Sequence, residues 1–246
     1  MHHLTWFSCG DASAVASKLA IKKYEEIDVV YCDTGSEHSD NTRFLKDIEK
    51  WLGQEIITMK NEKYKDIWDV FEKERWLVGV KGARCTTELK KWVRHQIEAD
   101  YDIQIFGYTI EERHRAERLL EQNPEIKAEF PLIDNQLSKQ DCLALLAEAD
   151  IEIPMMYKLG YRNNNCIGCV KGGAGYWNKI RVDFPGVFDR MAKVERNLNA
   201  AINKTFKGGK RKKMFLDELP TNMGNYQAEP DISCGVMCQI ALDIYS

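Results

Sequence analysis

The 246-residue chain has no apolar run approaching the roughly 18 to 20 residues that a helix needs to cross a bilayer, so no membrane span is expected. Its first residues, Met1-His2-His3-Leu4-Thr5-Trp6-Phe7-Ser8, lack a basic segment followed by an apolar one, which argues against a secretory leader. A large charge of one sign is also missing. The formal net charge is −3, so the totals imply no polyanionic partner, and only local basic patches speak for one. Disorder and fibrous repeats are excluded by a composition that is 44% hydrophobic and 30% charged. That composition and size suit one α/β domain with a sizeable core, or a main domain with a smaller appendage. Eight cysteines without a leader point to a reducing, cytoplasmic compartment. Thiols there are more often ligands, nucleophiles or core fillers than disulfides.

Residues 4–7 read as a short buried strand, which runs through Ser8-Cys9-Gly10-Asp11-Ala12-Ser13 into a helix ending near Lys22. Small residues at such a turn offer backbone N–H groups and a helix N-terminus to an anion, though an ordinary capped turn has the same spacing. A second strand, Ile27–Cys32, ends at Asp33-Thr34-Gly35, where open α/β sheets bind ligands. An amphipathic helix over Asn41–Leu52 and a strand over residues 55–59 complete a βαβαβ alternation. This predicts an α/β fold with a doubly wound parallel sheet covered by helices on both faces. A fourth strand follows at residues 103–107, and Ser138 with Asp141 opens a capped helix to about residue 149. Cys32 and Cys142 lie among apolar neighbours and read as packing. The expected division is residues 1–150 for a nucleotide-binding domain and residues 151–246 for a mostly helical region.

The second region carries Cys166-Ile167-Gly168-Cys169 on a polar, glycine-rich turn. A two-residue gap aims both sulfurs one way, a spacing shared by zinc, iron–sulfur and dithiol redox sites. Further thiols are Cys85, at the start of a helix reaching roughly residue 99, and Cys234 and Cys238, which share a face if that turn is helical. Arg84, Lys90, Lys91 and Arg94 make the first of these helices basic. The run is either a solvated face or an anion site that lowers the pKa of Cys85. Residues 79–82 read as a mobile loop. Residues 205–213, with Lys207, Lys210, Arg211, Lys212 and Lys213 around Gly208-Gly209, read as a flexible basic loop able to contact nucleic acid.

Taken together, these features resemble the phosphoadenylyl-sulfate reductase family within the PP-loop (adenine-nucleotide alpha-hydrolase) superfamily. Ser8 to Ser13 resembles the PP-loop Ser-Gly-Gly-x-Asp-Ser, and Asp33-Thr34-Gly35 the family's Asp-Thr-Gly. Arg84-Cys85 with Leu89-Lys90 resembles the region of the first cluster cysteine. Gly107 to Arg115 is similar to Gly-x-Arg-x-x-Glu-Ser, Cys166-x-x-Cys169 to the second cluster motif, and Cys234-Gly235 to the terminal Cys-Gly. In this chain Cys9 stands at a PP-loop glycine, Ala12 at its aspartate, Thr109 at an anion-binding arginine and Ser233 at a glutamate.

The resemblance implies an iron–sulfur enzyme acting on an adenine nucleotide, either a sulfonucleotide (PAPS or APS) or ATP. Ser8, Cys9, Gly10, Asp11 and Ser13 would hold phosphate or sulfate, and Asp33 the adenosine, with Thr34, Gly35, Gly107 and Arg115 completing the site. Cys85, Cys166, Cys169 and Cys234 would bind a [4Fe–4S] cluster, with zinc as the alternative metal, and Cys238 would be the catalytic thiol. A thioredoxin-like dithiol would supply electrons. Delivery of sulfur to a nucleobase, or a non-catalytic nucleic-acid-binding module, are the other readings.

Overall fold

The computed structural model describes residues 1–79, 82–232, 234 and 236. In chain order the first elements are β1 (His3–Phe7), α1 (Asp11–Lys23), β2 (Ile27–Cys32), α2 (Asn41–Leu52), β3 (Ile57–Met59) and α3 (Ile67–Glu74). Next come β4 (Val78–Gly79), β5 (Gly82–Ala83), α4 (Arg84–Thr86), a π-helical turn (Thr87–Lys91), α5 (Trp92–Ile97) and β6 (Ile103–Phe106). They are followed by α6 (Arg113–Gln122), β7 (Ala128–Glu129), α7 (Pro131–Asp134), α8 (Lys139–Glu148) and α9 (Met155–Lys158). The last are α10 (Ala174–Asp183), α11 (Pro185–Leu198), β8 (Asn203–Lys207) and β9 (Lys210–Met214).

Two compact units are built from interleaved segments. The first comprises Met1–Asp33, His38–Lys60 and Lys90–Asn164. It holds a five-stranded sheet of order β3-β2-β1-β6-β7, with every neighbouring pair parallel. The central strand β1 is buried at all five positions, as a strand covered on both faces must be. On one side Phe7, Val29 and Tyr31 pack with Phe44, Ile48 and Leu52, which recur every four residues along α2. In a second cluster, Val15 and Ala16 of α1 meet Leu132 and Cys142. Burial pushes the Cys142 thiol up to about 12, as suits a core filler. The predicted α/β parallel sheet is therefore what the chain forms.

The second unit comprises Thr34–Glu37, Asn61–Leu89 and the residues from Asn165 onward. Its core includes Ile67 and Phe71 of α3, Trp177 and Ile180 of α10, and Phe188 and Met191 of α11. Pro185 opens α11 at a position whose N–H has no intrahelical partner, which marks the break after Asp183. Val78 pairs with Ala83 and Gly79 with Gly82 in a short antiparallel pair, so the two ends of the expected mobile loop are strand residues, while residues 80 and 81 lie outside the described residues. The basic segment expected to be a flexible loop is not one. Residues 205–213 fall in the antiparallel hairpin β8–β9, closed by Gly208 and Gly209 with φ of 60° and 72°. Two consecutive left-handed residues make the type I′ turn whose twist matches that of paired strands. The glycine pair that suggested flexibility is what closes the ribbon.

Candidate functional site

In the first unit the strand order reverses at β1, between β2 and β6. Open α/β sheets bind ligands outside the carboxyl ends of the strands at such a point. The carboxyl end of β1 carries Ser8 to Ser13, that of β6 carries Gly107, and that of β2 carries Asp33, whose N–H donates to the Met59 carbonyl at 2.8 Å. Gly10 is the N-cap of α1 and has no side chain to satisfy the first helical amides, so that N-terminus keeps the donors an anion uses.

Ser13 ties the loop together. Its Oγ accepts from Ser8 N at 3.0 Å, Ser8 Oγ at 3.1 Å and Gly10 N at 3.4 Å, and donates to the Gly10 carbonyl at 3.0 Å. Cys9 adopts the left-handed conformation (φ 58°) in which the resemblance places a glycine. It is held there by two asparagines that sequence reasoning missed. The Asn164 amide donates to the Cys9 carbonyl at 2.6 Å and to Asn41 Oδ1 at 2.8 Å, while the Cys9 thiol faces the Asn41 carbonyl at 3.7 Å.

Asp11 is 3% exposed, and its Oδ1 accepts from the Tyr157 hydroxyl at 2.9 Å. Burial, reinforced by this carboxylate, pushes the Tyr157 hydroxyl well above its usual pKa and keeps it a donor. Asp11 Oδ2, Asn41 Nδ2 and Asn164 Oδ1 are buried without a hydrogen-bond partner among the described residues, an accumulation of unmet polar capacity beside the loop.

Gly107 serves this loop by its smallness. A Cβ there would lie 2.7 Å from Ser13 Cα and 2.9 Å from the Ala12 carbonyl oxygen, so the β6 end and α1 touch backbone to backbone. Thr109 caps the turn that precedes α6, and its N–H donates to Glu112 at 3.2 Å. Arg115 pairs with Glu112 and lies 4.4 Å over the Tyr108 ring.

The second unit contains Thr34, Gly35 and the four candidate ligand cysteines. Gly35, with φ 65°, approaches the backbone of Lys65 so closely that a Cβ would sit 2.1 Å from its carbonyl oxygen. It is a glycine of necessity. In the Cys-x-x-Cys turn Gly168 is left-handed (φ 82°), and the Tyr176 hydroxyl accepts from Gly168 N at 3.0 Å and Cys169 N at 2.9 Å. Tyr176 is buried, and it fixes this turn. Cys166 Sγ lies 3.0 Å from Thr34 Oγ1 and 3.7 Å from Glu37 Oε1, and Ile167 N donates to the Ser36 carbonyl at 2.9 Å. Cys234 Sγ lies 3.5 Å from Thr86 Oγ1, the neighbour of half-buried Cys85.

A clasp holds the segment leading to Cys234. Glu229 accepts from Gly175 N at 2.6 Å and Tyr176 N at 3.0 Å at the start of α10, and Asn165 Nδ2 donates to the Ile232 carbonyl at 2.9 Å. Arg84 is engaged by Glu74 at 2.6 Å and Glu88 at 2.8 Å, which cuts the positive field expected beside Cys85.

The donors therefore have the number and chemistry of a tetrathiolate site, and no disulfide occurs among the described residues. Cys166 and Cys169 share one turn, and Cys234 lies against Thr86, the residue that follows Cys85. Among the described residues no three Cys, His, Asp or Glu groups converge closely enough to hold an ion. Cys238 lies outside the described residues, as does the helical turn expected to join it to Cys234.

Two Methanocaldococcus jannaschii proteins, both uncharacterised, are 23% and 27% identical to the chain over 89% and 77% of its length. The chain spans 53% of the first and 40% of the second, about half the length of these relatives or less. A phosphoadenylyl-sulfate reductase from Candida auris, solved as a phosphate complex, shares the fold at 12% identity. Its TM-score is 0.51, with 68% of this chain and 81% of that one covered. The family model for the phosphoadenosine phosphosulfate reductase domain matches residues 2–173, which include the loop after β1, Asp33-Thr34-Gly35, Gly107 and both cysteines of the turn. The chain belongs to the phosphoadenosine phosphosulfate reductase domain family.

Proposed function

We propose that the chain is an enzyme that binds an adenine nucleotide at the loop after β1 and acts on it in sulfur chemistry, as a sulfonucleotide reductase of the PAPS or APS type. The observation that carries this reading is the loop itself. It lies at the switch point of the sheet, is tied by Ser13, is capped by a glycine that leaves helix amides to an anion, and is flanked by buried polar atoms without partners among the described residues. Ser8 and Ser13 would orient the anionic group, Asp33 the adenosine, and Tyr157 would hold Asp11 in place.

Cys85, Cys166, Cys169 and Cys234 are the residues proposed to hold a [4Fe–4S] cluster, with zinc as the alternative. Such a cluster, when bound, would supply a rigid anchor that holds the four thiolates together. The Glu229 and Asn165 contacts would keep Cys234 beside Thr86, and Cys238 is the proposed nucleophile toward the sulfonyl sulfur. Its attack would break the bond from sulfur to the nucleotide phosphate, releasing the nucleotide and leaving the sulfonate on Cys238 sulfur. A thioredoxin-like dithiol would then free sulfite and regenerate the thiol, ending as a disulfide.

A second reading, ATP-dependent transfer of sulfur to an acceptor, draws support from Thr109. It caps a helical turn where the resemblance places an anion-binding arginine.

The test is iron and acid-labile sulfide content, with a visible spectrum, on protein purified without oxygen. About four irons per chain are expected. They should be lost in Cys85→Ala, Cys166→Ala, Cys169→Ala and Cys234→Ala. Zinc or no metal overturns the cluster. Sulfite release from PAPS or APS with a dithiol supports the reductase, whereas AMP and pyrophosphate from ATP replaces it with the transferase.

A further inference from the structure

The β8–β9 hairpin differs in composition from the chain as a whole. Between Asn203 and Met214 the sequence carries Lys204, Lys207, Lys210, Arg211, Lys212 and Lys213 and not one carboxylate, on a chain whose formal net charge is −3. The register sets Lys204 opposite Lys213 and Lys207 opposite Lys210. Like charges across a ladder destabilise it, and strands so rich in lysine have little intrinsic β preference. The first four residues of β9 are exposed.

This ribbon is nonetheless built firmly at both ends. Gly208 and Gly209 close it in a type I′ turn. At its base the buried Glu195 carboxylate accepts from Ile202 N and Leu216 N, each at 2.6 Å, on the two sides of the hairpin. Lys213 adds a hydrogen bond to the Asn199 carbonyl. Positive charge concentrated on a held, narrow ribbon fits a partner with a regular row of negative charge. Alternate residues of a strand stand about 6.6 Å apart, near the spacing of successive phosphates in a nucleic-acid strand. A two-stranded ribbon is also narrow enough to enter a duplex groove.

We propose that the β8–β9 hairpin docks the phosphodiester backbone of a nucleic acid. The contact is to phosphates, so it is strongly salt-dependent and largely indifferent to base sequence. It stands independently of the nucleotide chemistry at the loop after β1.

The experiment is fluorescence anisotropy of the full chain with labelled 20-mers of single-stranded RNA, duplex RNA and duplex DNA, titrated between 50 and 250 mM salt, with anionic lipid vesicles as a parallel arm. If all six cations engage, the log–log slope of affinity against salt should be about −4 for a single strand and about −5 for a duplex. The three oligonucleotide arms identify which backbone is taken. The K210Q/R211Q/K212Q variant alters exposed positions and should flatten the slope by about 2 to 3, with at least a tenfold loss of affinity at 100 mM salt. Its thermal midpoint and far-UV circular dichroism check that it folds. The wild-type slope is an additional measure independent of any variant. A slope near zero, binding to vesicles in place of the oligonucleotides, or a folded triple variant that binds like wild type would each overturn the proposal.

Discussion

Glu195 offers a measurable pH dependence, and Glu195→Gln isolates it. The side chain is fully buried, and burial pushes its carboxyl up to about 7, against the pull of the Ile202 and Leu216 amides; Asp217 raises it further and Arg196 lowers it. In the unfolded chain the same group titrates near 4.5. A carboxyl with a raised folded pKa binds its proton more readily in the fold. Its contribution is therefore fully present below about pH 4.5, declines as pH rises through 7, and is gone above it. The gap between those two values corresponds to about 3 kcal/mol. Glutamine does not titrate, and it points an amide N–H at one of the two backbone donors, which costs about 1–3 kcal/mol at every pH. The assay is urea unfolding followed by tryptophan fluorescence, wild type against variant, at half-unit steps from pH 4.5 to 8. The wild-type advantage should shrink by about 3 kcal/mol across that window, while other carboxylates cancel in the difference. Two curves that run parallel in pH would refute the reasoning.

Gly107→Ala should lower stability by about 1–3 kcal/mol, because its Cβ meets the fixed backbone of Ser13 and Ala12. Calorimetry should show a midpoint lower by several degrees, with weaker nucleotide binding alongside. Tyr157→Phe keeps the ring but removes the donor to Asp11 Oδ1, leaving a buried carboxylate short of partners; a loss of about 1–3 kcal/mol in denaturant unfolding is expected. Glu229→Ala removes the acceptor at the start of α10. Hydrogen exchange at the Gly175 and Tyr176 amides should accelerate, at a stability cost of about 0.5–2 kcal/mol.

The elements legible in the sequence are those whose signal is local. The bounds of β2 and α2 follow from an apolar run and from Phe44, Ile48 and Leu52 on one helical face. Ser8 and Ser13 are five residues apart, so their loop could be read directly. Tyr157 and Asn164 reach it from 146 and 155 residues away, and no periodicity announces a tyrosine that will meet a buried aspartate. The basic hairpin was hidden for a different reason. Its strands lack apolar alternation, and their pairing depends on a turn and on Glu195 outside them. Arg84 misled because a cation run looks alike whether or not an acid from another element meets it; Glu74 of α3 does, adding to Glu88 four residues on.

Cys9 bears on the thermodynamics of ligand binding. A residue with a Cβ in the left-handed region is uncommon and costs about 1–3 kcal/mol, so it persists only where its surroundings fix it. Here those surroundings are a core that seals the side chain completely and an asparagine amide on the carbonyl. A glycine at this position would roam through both halves of conformational space before any ligand arrived. With cysteine, that disorder is removed when the chain folds. The anion proposed for the loop would therefore find its shape already chosen, and little of the binding free energy would be diverted into ordering it.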